Sequence, residues 1–247
     1  MRHLALLLLL PVTVSAAWIV NSFPAPGGGI YGLGWTMSSL WTVDCYDGFV
    51  YRLDPSSGEV LFTFLPSLSP DHVPWGLTCS QDTIFVSHMN SFETIVAMYD
   101  ATTGSYLGQV YSQPQFEGIM GLSADSGYMY MARQETYTCL AMNYIIGEPP
   151  WTYLMFAITF DPIYDIAYQE GDIWMAHDSE SEPVRRYDTS GTIVDFLPAE
   201  LIPSAAGLAL DPSGYLWVSD PDADMIYKVD TSQPLSRSTW AGIKNYF

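Results

Sequence analysis

One five-residue pattern recurs five times along the chain. It reads apolar, aromatic, variable, small, polar. The copies are Leu40-Trp41-Thr42-Val43-Asp44, Ile84-Phe85-Val86-Ser87-His88, Met129-Tyr130-Met131-Ala132-Arg133, Ile173-Trp174-Met175-Ala176-His177 and Leu216-Trp217-Val218-Ser219-Asp220. Their last residues, 44, 88, 133, 177 and 220, are spaced by 44, 45, 44 and 43 positions. A repeat of that length is one supersecondary unit that cannot bury its own faces and must stack on its neighbours.

Two further motifs keep the same register. Gly32-Leu33, Gly76-Leu77, Gly121-Leu122, Asp165-Ile166 and Gly207-Leu208 each lead the pattern by about twelve residues. Tyr51-Arg52-Leu53-Asp54, Ala97-Met98-Tyr99-Asp100, Arg185-Arg186-Tyr187-Asp188 and Tyr227-Lys228-Val229-Asp230 follow it by roughly ten, and the third repeat has Met142-Asn143-Tyr144 there. An Asp-to-Gly turn comes next, as in Asp54 to Gly58, and then another apolar run such as Val60 to Phe64. Short β-branched or aromatic runs between Gly, Asp and Ser turns predict strands. Four strands per unit of about 40–45 residues predict an all-β β-propeller of four-stranded antiparallel blades, five in number. The run Trp18 to Pro24 precedes the first Gly-Leu as Val60 to Pro66 precedes the second. It is expected to close the ring as the outer strand of the fifth blade.

The expected organisation is a signal peptide at 1–17, a propeller at 18–232, and a tail or extra outer strand at 233–247. Arg2 and His3 precede the apolar run Leu4 to Leu10, and Val14-Ser15-Ala16-Ala17 supplies small residues for cleavage. That is the three-part pattern of a secretory signal. The run is shorter than the roughly 20 apolar residues of a membrane span. An extracellular or periplasmic destination follows. The mature part holds Cys45, Cys79 and Cys139. An odd number without CxxC spacing predicts at most one disulfide and no ribbon-type zinc site.

Charge narrows the partners. Eight Lys and Arg against 27 Asp and Glu give a net charge of −19, which disfavours nucleic acid and anionic membrane surfaces. The expected ligand is a small molecule, a glycan or a protein, with basic or cationic groups favoured. A monomer is expected.

The repeat at 207–230, Gly-Leu…Leu-Trp-Val-Ser-Asp…Ile-Tyr-Lys-Val-Asp, resembles blades of the secreted or periplasmic NHL, YVTN and gluconolactonase-like propellers. The resemblance covers nearly the whole mature chain and implies the blade fold. It also suggests a bacterial exported protein. Within that group plant-type glutaminyl cyclases are five-bladed. Their acidic active-site pattern has no residue-by-residue match here. Streptogramin lyases carry a catalytic His on seven blades, a count this chain does not share.

In such a fold the loops entering the first strand and leaving the second share one face. Asp44, His88, Arg133, His177 and Asp220 all end second strands there, and His72 lies in the loop entering the second blade. His88 and His177 with Asp44 or Asp220 are candidate acid–base or metal-binding groups. The competing reading is that they tie strand ends to loop backbone, since aspartate and histidine exchange at one repeat position. Tyr31, Trp75 and Tyr164 precede the first strand in three blades, with Met120 in a fourth, and would form a stacking surface with His72 and Arg133 on the binding face. Asp220, Asp222 and Asp224 alternate as calcium ligands can, giving Ca²⁺ or another divalent cation as the candidate cofactor. Arg52, Arg186 and Lys228 share one third-strand position, which suggests a repeated structural pairing. No P-loop, GxSxG or HExxH is present. The leading expectation is a binding module working through one loop face. The alternative is a lyase, lactonase or glutaminyl-cyclase-like enzyme using the His/Asp set.

Overall fold

The computed structural model describes residues 19–232 except 67, 69–70, 115–117, 126–127, 135–138, 146–152, 160 and 170. The signal-peptide and tail segments read at 1–17 and 233–247 lie outside the described residues. Among those residues all regular structure is strand. After β1 (Ile19–Pro24), the first sheet is β2 (Ile30–Thr36), β3 (Ser39–Asp44), β4 (Val50–Leu53) and β5 (Val60–Phe64). The second is β6 (Val73–Ser80), β7 (Thr83–Met89), β8 (Glu93–Asp100) and β9 (Tyr106–Pro114). The third is β10 (Gly118–Asp125), β11 (Tyr128–Gln134), β12 (Cys139–Ile145) and β13 (Tyr153–Thr159). The fourth is β14 (Ile163–Gln169), β15 (Asp172–His177), β16 (Val184–Tyr187) and β17 (Ile193–Leu197). The last is β18 (Leu208–Leu210), β19 (Leu216–Asp220) and β20 (Met225–Val229).

Four of these sheets use four consecutive strands. The fifth has three of its own and takes β1 as its outer strand, antiparallel to β20 from Ile19↔Val229 to Pro24↔Met225. Every pairing between neighbours is antiparallel, the arrangement of propeller blades.

Burial explains the ring. Five buried apolar clusters each lie between two successive sheets. One joins Trp41 and Val43 of the first sheet to Leu77, Ile84 and Tyr99 of the second. Another joins Trp217 and Ile226 of the fifth to Leu33, Leu40 and Leu53 of the first. Trp41 and Trp217 are completely buried. The repeated aromatic is therefore inter-sheet core, and no sheet keeps an open apolar face.

The inner strands β2, β6, β10, β14 and β18 touch around the axis, and their repeated glycine permits it. A Cβ on Gly32 would stand 2.4 Å from the Leu77 nitrogen, and one on Gly121 would stand 2.3 Å from the Asp165 Cα. In the fourth sheet Asp165 replaces that glycine and fills the hub. Its Oδ1 accepts from Leu122 N at 3.0 Å and Ile166 N at 2.9 Å; its Oδ2 accepts from Leu208 N at 2.8 Å and Leu33 N at 3.4 Å. One carboxylate thus binds the backbones of four sheets. Burial pushes its carboxyl well above the usual range while the four N–H groups pull the other way.

Candidate functional site

A repeated irregularity builds the mouth of the ring. The pairing of each inner strand with its neighbour slips between Ile30 and Gly32, Pro74 and Leu77, Ile119 and Gly121, and Ile163 and Asp165. The extra residues are Tyr31, Trp75 with Gly76, Met120 and Tyr164. A bulge re-aims the side chain it carries. The half-buried Tyr31 ring lies 4.8 Å from Trp75 and 6.0 Å from Tyr164, centroid to centroid. Three of the five residues assigned to the binding face therefore meet in one aromatic cluster.

Beside it, between the fourth and fifth sheets, opens a cavity of about 280 Å³. Tyr31, Tyr164 and His177 line it, with the carboxylates of Asp178, Glu180 and Asp222. Asp222 Oδ2 is held by the Ser204 hydroxyl at 2.6 Å. No Lys or Arg stands against Asp178, Glu180 or Asp222 among the described residues; Arg185 is engaged by Asp161 at 2.6 Å and Glu182 at 3.4 Å. Burial raises the Tyr164 hydroxyl above its usual range, and Asp178 and Asp222 add to the effect. The cavity is thus an anionic pocket with aromatic walls.

His177 is 1% exposed, and its Nε2 lies 3.1 Å from the Tyr187 hydroxyl. Burial raises the pKa of that hydroxyl and the nearby Arg185 opposes the rise. With the Tyr187 O–H as donor to Nε2, the proton of the neutral ring sits on Nδ1. Nδ1 is buried and makes no hydrogen bond. Burial, helped by Arg185, pushes the His177 pKa down to about 4, so the ring is neutral near pH 7.

His88 repeats the device in the second sheet. Its Nε2 lies 3.0 Å from Tyr99 Oη, Nδ1 is unpartnered, and burial together with His72 pushes its pKa to about 3. His72 Nε2 is 3.1 Å from Asn90 Nδ2 and 3.4 Å from Glu93 Oε1. Arg133 lies near the end of β11, in the third sheet. None of these three lines the cavity.

The aspartates do something else. Asp44 Oδ1 accepts from Tyr46 N at 2.7 Å and Asp47 N at 3.2 Å, and its Oδ2 from Gly29 N at 3.2 Å. Asp220 Oδ1 accepts from Asp222 N at 3.1 Å and Ala223 N at 3.0 Å. Both close tight turns through side-chain-to-backbone bonds. The turns match residue for residue: Gly48 has φ +81° and Asp224, four residues after Asp220, has φ +52°. Asp220, Asp222 and Asp224 do not assemble as a ligand set. Among the described residues no three or more His, Cys, Asp or Glu are placed to hold a metal. Of the candidate catalytic residues, His88 and His177 are each bonded to a tyrosine of their own sheet, and Asp44 and Asp220 to the backbone of their own loops.

Arg52 lies over Trp41 at 5.9 Å, Arg186 over Trp174 at 5.8 Å and Lys228 over Trp217 at 5.2 Å, a repeated cation–π contact. Cys45 and Cys79 are free thiols, and the Cys139 side chain lies outside the described residues. Among the described residues no helix is long and apolar enough to cross a membrane.

The fold and mouth define the β-propeller class. No family model matches the chain, and no curated protein does. Solved structures share the architecture at low identity. Glutaminyl cyclase from Myxococcus xanthus is 14% identical with a TM-score of 0.65, over 86% of this chain and 94% of that one. A PQQ-bound aldose sugar dehydrogenase from Streptomyces coelicolor is 13% identical with a TM-score of 0.56, over 86% of this chain and 97% of that one. A chain of a nidogen/laminin complex is 11% identical with a TM-score of 0.51, over 77% and 72%. At these identities the likeness concerns the fold alone. It spans enzymes and members of protein complexes.

Proposed function

We propose that the chain is an exported, monomeric five-bladed propeller of the NHL/YVTN kind, whose mouth binds ligands carrying a cationic amine beside a hydrogen-bond acceptor. The amino terminus of a peptide, or an amino-acid amide, has that form. The observation that supports this reading is the cavity of about 280 Å³ lined by His177, whose Nδ1 is buried and unpartnered, and by three carboxylates without cation partners among the described residues. The ammonium would sit among Asp178, Glu180 and Asp222, against the tyrosine faces. The neighbouring carbonyl would accept from His177 Nδ1–H. Tyr31 and Trp75 would cover the next residue.

Calorimetric titration with short peptides of free amino terminus tests it. Binding should weaken about tenfold or more in Asp178→Asn and Asp222→Asn, as expected for a lost charge-assisted contact. Equal affinity in both variants and the parent would contradict the reading. The second reading, a cyclase acting on the same ligand end, is favoured by the shared fold with the Myxococcus enzyme and the same cavity. It predicts ammonia release from peptides beginning with glutamine; a bound peptide recovered unchanged leaves the binding module. Export is tested by amino-terminal sequencing of the secreted protein, with a first residue near Trp18 expected.

A further inference from the structure

A second cavity, of about 460 Å³, lies between the fourth and fifth sheets on the face opposite the mouth. Its walls come from the start of β15, from β16, from the turn before β19 and from the end of β20. Asp172, Trp174 and Arg186 line one side, and Ser213, Tyr215 and Thr231 the other. We propose that it is a binding site for a neutral, polyhydroxylated ligand, that is, a saccharide.

Three features carry this. First, Trp174 is 3% exposed, lines the cavity, and its indole N–H has no hydrogen-bond partner. The equivalent positions differ in what surrounds the N–H. Trp217 donates to Asp211 Oδ2 at 3.2 Å, and the Trp41 N–H, also without a partner, is completely enclosed away from any cavity wall named here.

Second, Arg186 Nε donates to Asp172 Oδ2 at 2.9 Å and Nη2 bonds the same oxygen. Among the described residues Asp172 Oδ1 and Arg186 Nη1 have no partner, and the two side chains are about a third exposed, 30% and 33%. The pair therefore offers an acceptor next to a donor with its charges mutually compensated. Adjacent hydroxyls of a sugar ring need that combination, because each is both donor and acceptor. A strongly anionic ligand would meet Asp172 and Asp230, and a strongly cationic one would meet Arg186.

Third, the rest of the lining is aromatic or hydroxylated. Tyr215 supplies ring surface, and Ser213 and Ser232 supply hydroxyls. The volume falls within the roughly 300–1,000 Å³ of small-molecule sites. The proposal is independent of the mouth: no residue lines both cavities.

The test is a printed glycan array probed with the labelled protein, followed by calorimetry with the strongest neutral glycan. Affinity should fall about tenfold or more in Asp172→Asn and in Trp174→Phe, the cost of one or two lost buried hydrogen bonds. Arg52→Gln, at the same repeat position in the first sheet, should leave it unchanged. Salt should leave it unchanged too, unlike amine binding at the mouth. Trp174→Phe keeps an aromatic ring in the core, and Asp172→Asn keeps the shape outright, so a folding failure of the first leaves the second decisive. Four results would overturn the proposal: no glycan bound; only sulfated or sialylated glycans bound; affinity unaltered in Asp172→Asn; or affinity lost equally in Arg52→Gln.

Discussion

At the residue scale, a histidine ends the second strand in the second and fourth sheets, and an aspartate ends it in the first and fifth. The third strand separates the two cases. Tyr99 and Tyr187 pair with Ile84 and Ile173 and reach the histidines along the strand with their hydroxyls, where Leu53 and Val229 hold the same register in the aspartate sheets. The tyrosine hydroxyl satisfies the imidazole; the aspartate instead turns to the backbone of its own loop. This pairing was visible in the repeats but needed two positions to be compared together. Burial of both rings has a pH consequence. The unfolded chain takes up two protons as pH falls through 6.5, while the folded rings wait until about 4 and about 3. Their contribution is complete above about pH 6.5 and is lost below it, at up to about 1.4 kcal/mol per pH unit for each ring. Urea midpoints between pH 7 and pH 5 should therefore fall, and should fall less in His88→Gln and His177→Gln. Equal slopes in parent and variants would contradict the assignment of neutral rings. Asp178 and Glu180 left no signal in the sequence. They lie in a loop, outside the repeating positions, and only the fold brings them against Asp222.

At the element scale, the strands were legible because their periodicity and turn chemistry repeat. The run at 18–24 is the clearest case. β1 covers Ile19–Pro24 and pairs with β20, so the first strand of the chain completes the last sheet. Phe23 is 4% exposed and lies 5.9 Å from the Trp217 ring. Phe23→Ala should cost about 3–5 kcal/mol, the usual range for a buried aromatic. Chemical denaturation measures it, and a loss below about 1 kcal/mol would mean that β1 contributes pairing but little packing. The bulges were not legible. An extra residue in a short strand leaves the apolar pattern intact, so Tyr31, Trp75 and Tyr164 could be placed at the mouth without the geometry that turns them there.

At the scale of the whole molecule, the hub and the charge matter most. Asp165 stands where four other repeats have glycine, an exception readable in the sequence whose purpose only the assembled ring reveals. Asp165→Asn would set an amide N–H₂ against backbone donors. It should cost about 3 kcal/mol or more in thermal or chemical unfolding, as loss of a buried acceptor and its replacement by a misdirected donor does. Asp165→Gly, which restores the repeat, should also destabilise by leaving Leu122 N and Leu208 N without an acceptor. Parent-like stability in both variants would show that the hub needs no carboxyl acceptor. A net charge of −19 should make amine binding at the mouth fall with added salt, since exposed charges are screened over about 10 Å at 0.1 M. The measurement that tests the account most directly compares glycinamide with N-acetylglycinamide by calorimetry on the intact domain. The two share the carbonyl and differ in the cation. The account predicts that glycinamide binds with one site and that acetylation abolishes it. Equal binding of the two, or binding of neither by this domain while it remains folded, would contradict a mouth built for an amine.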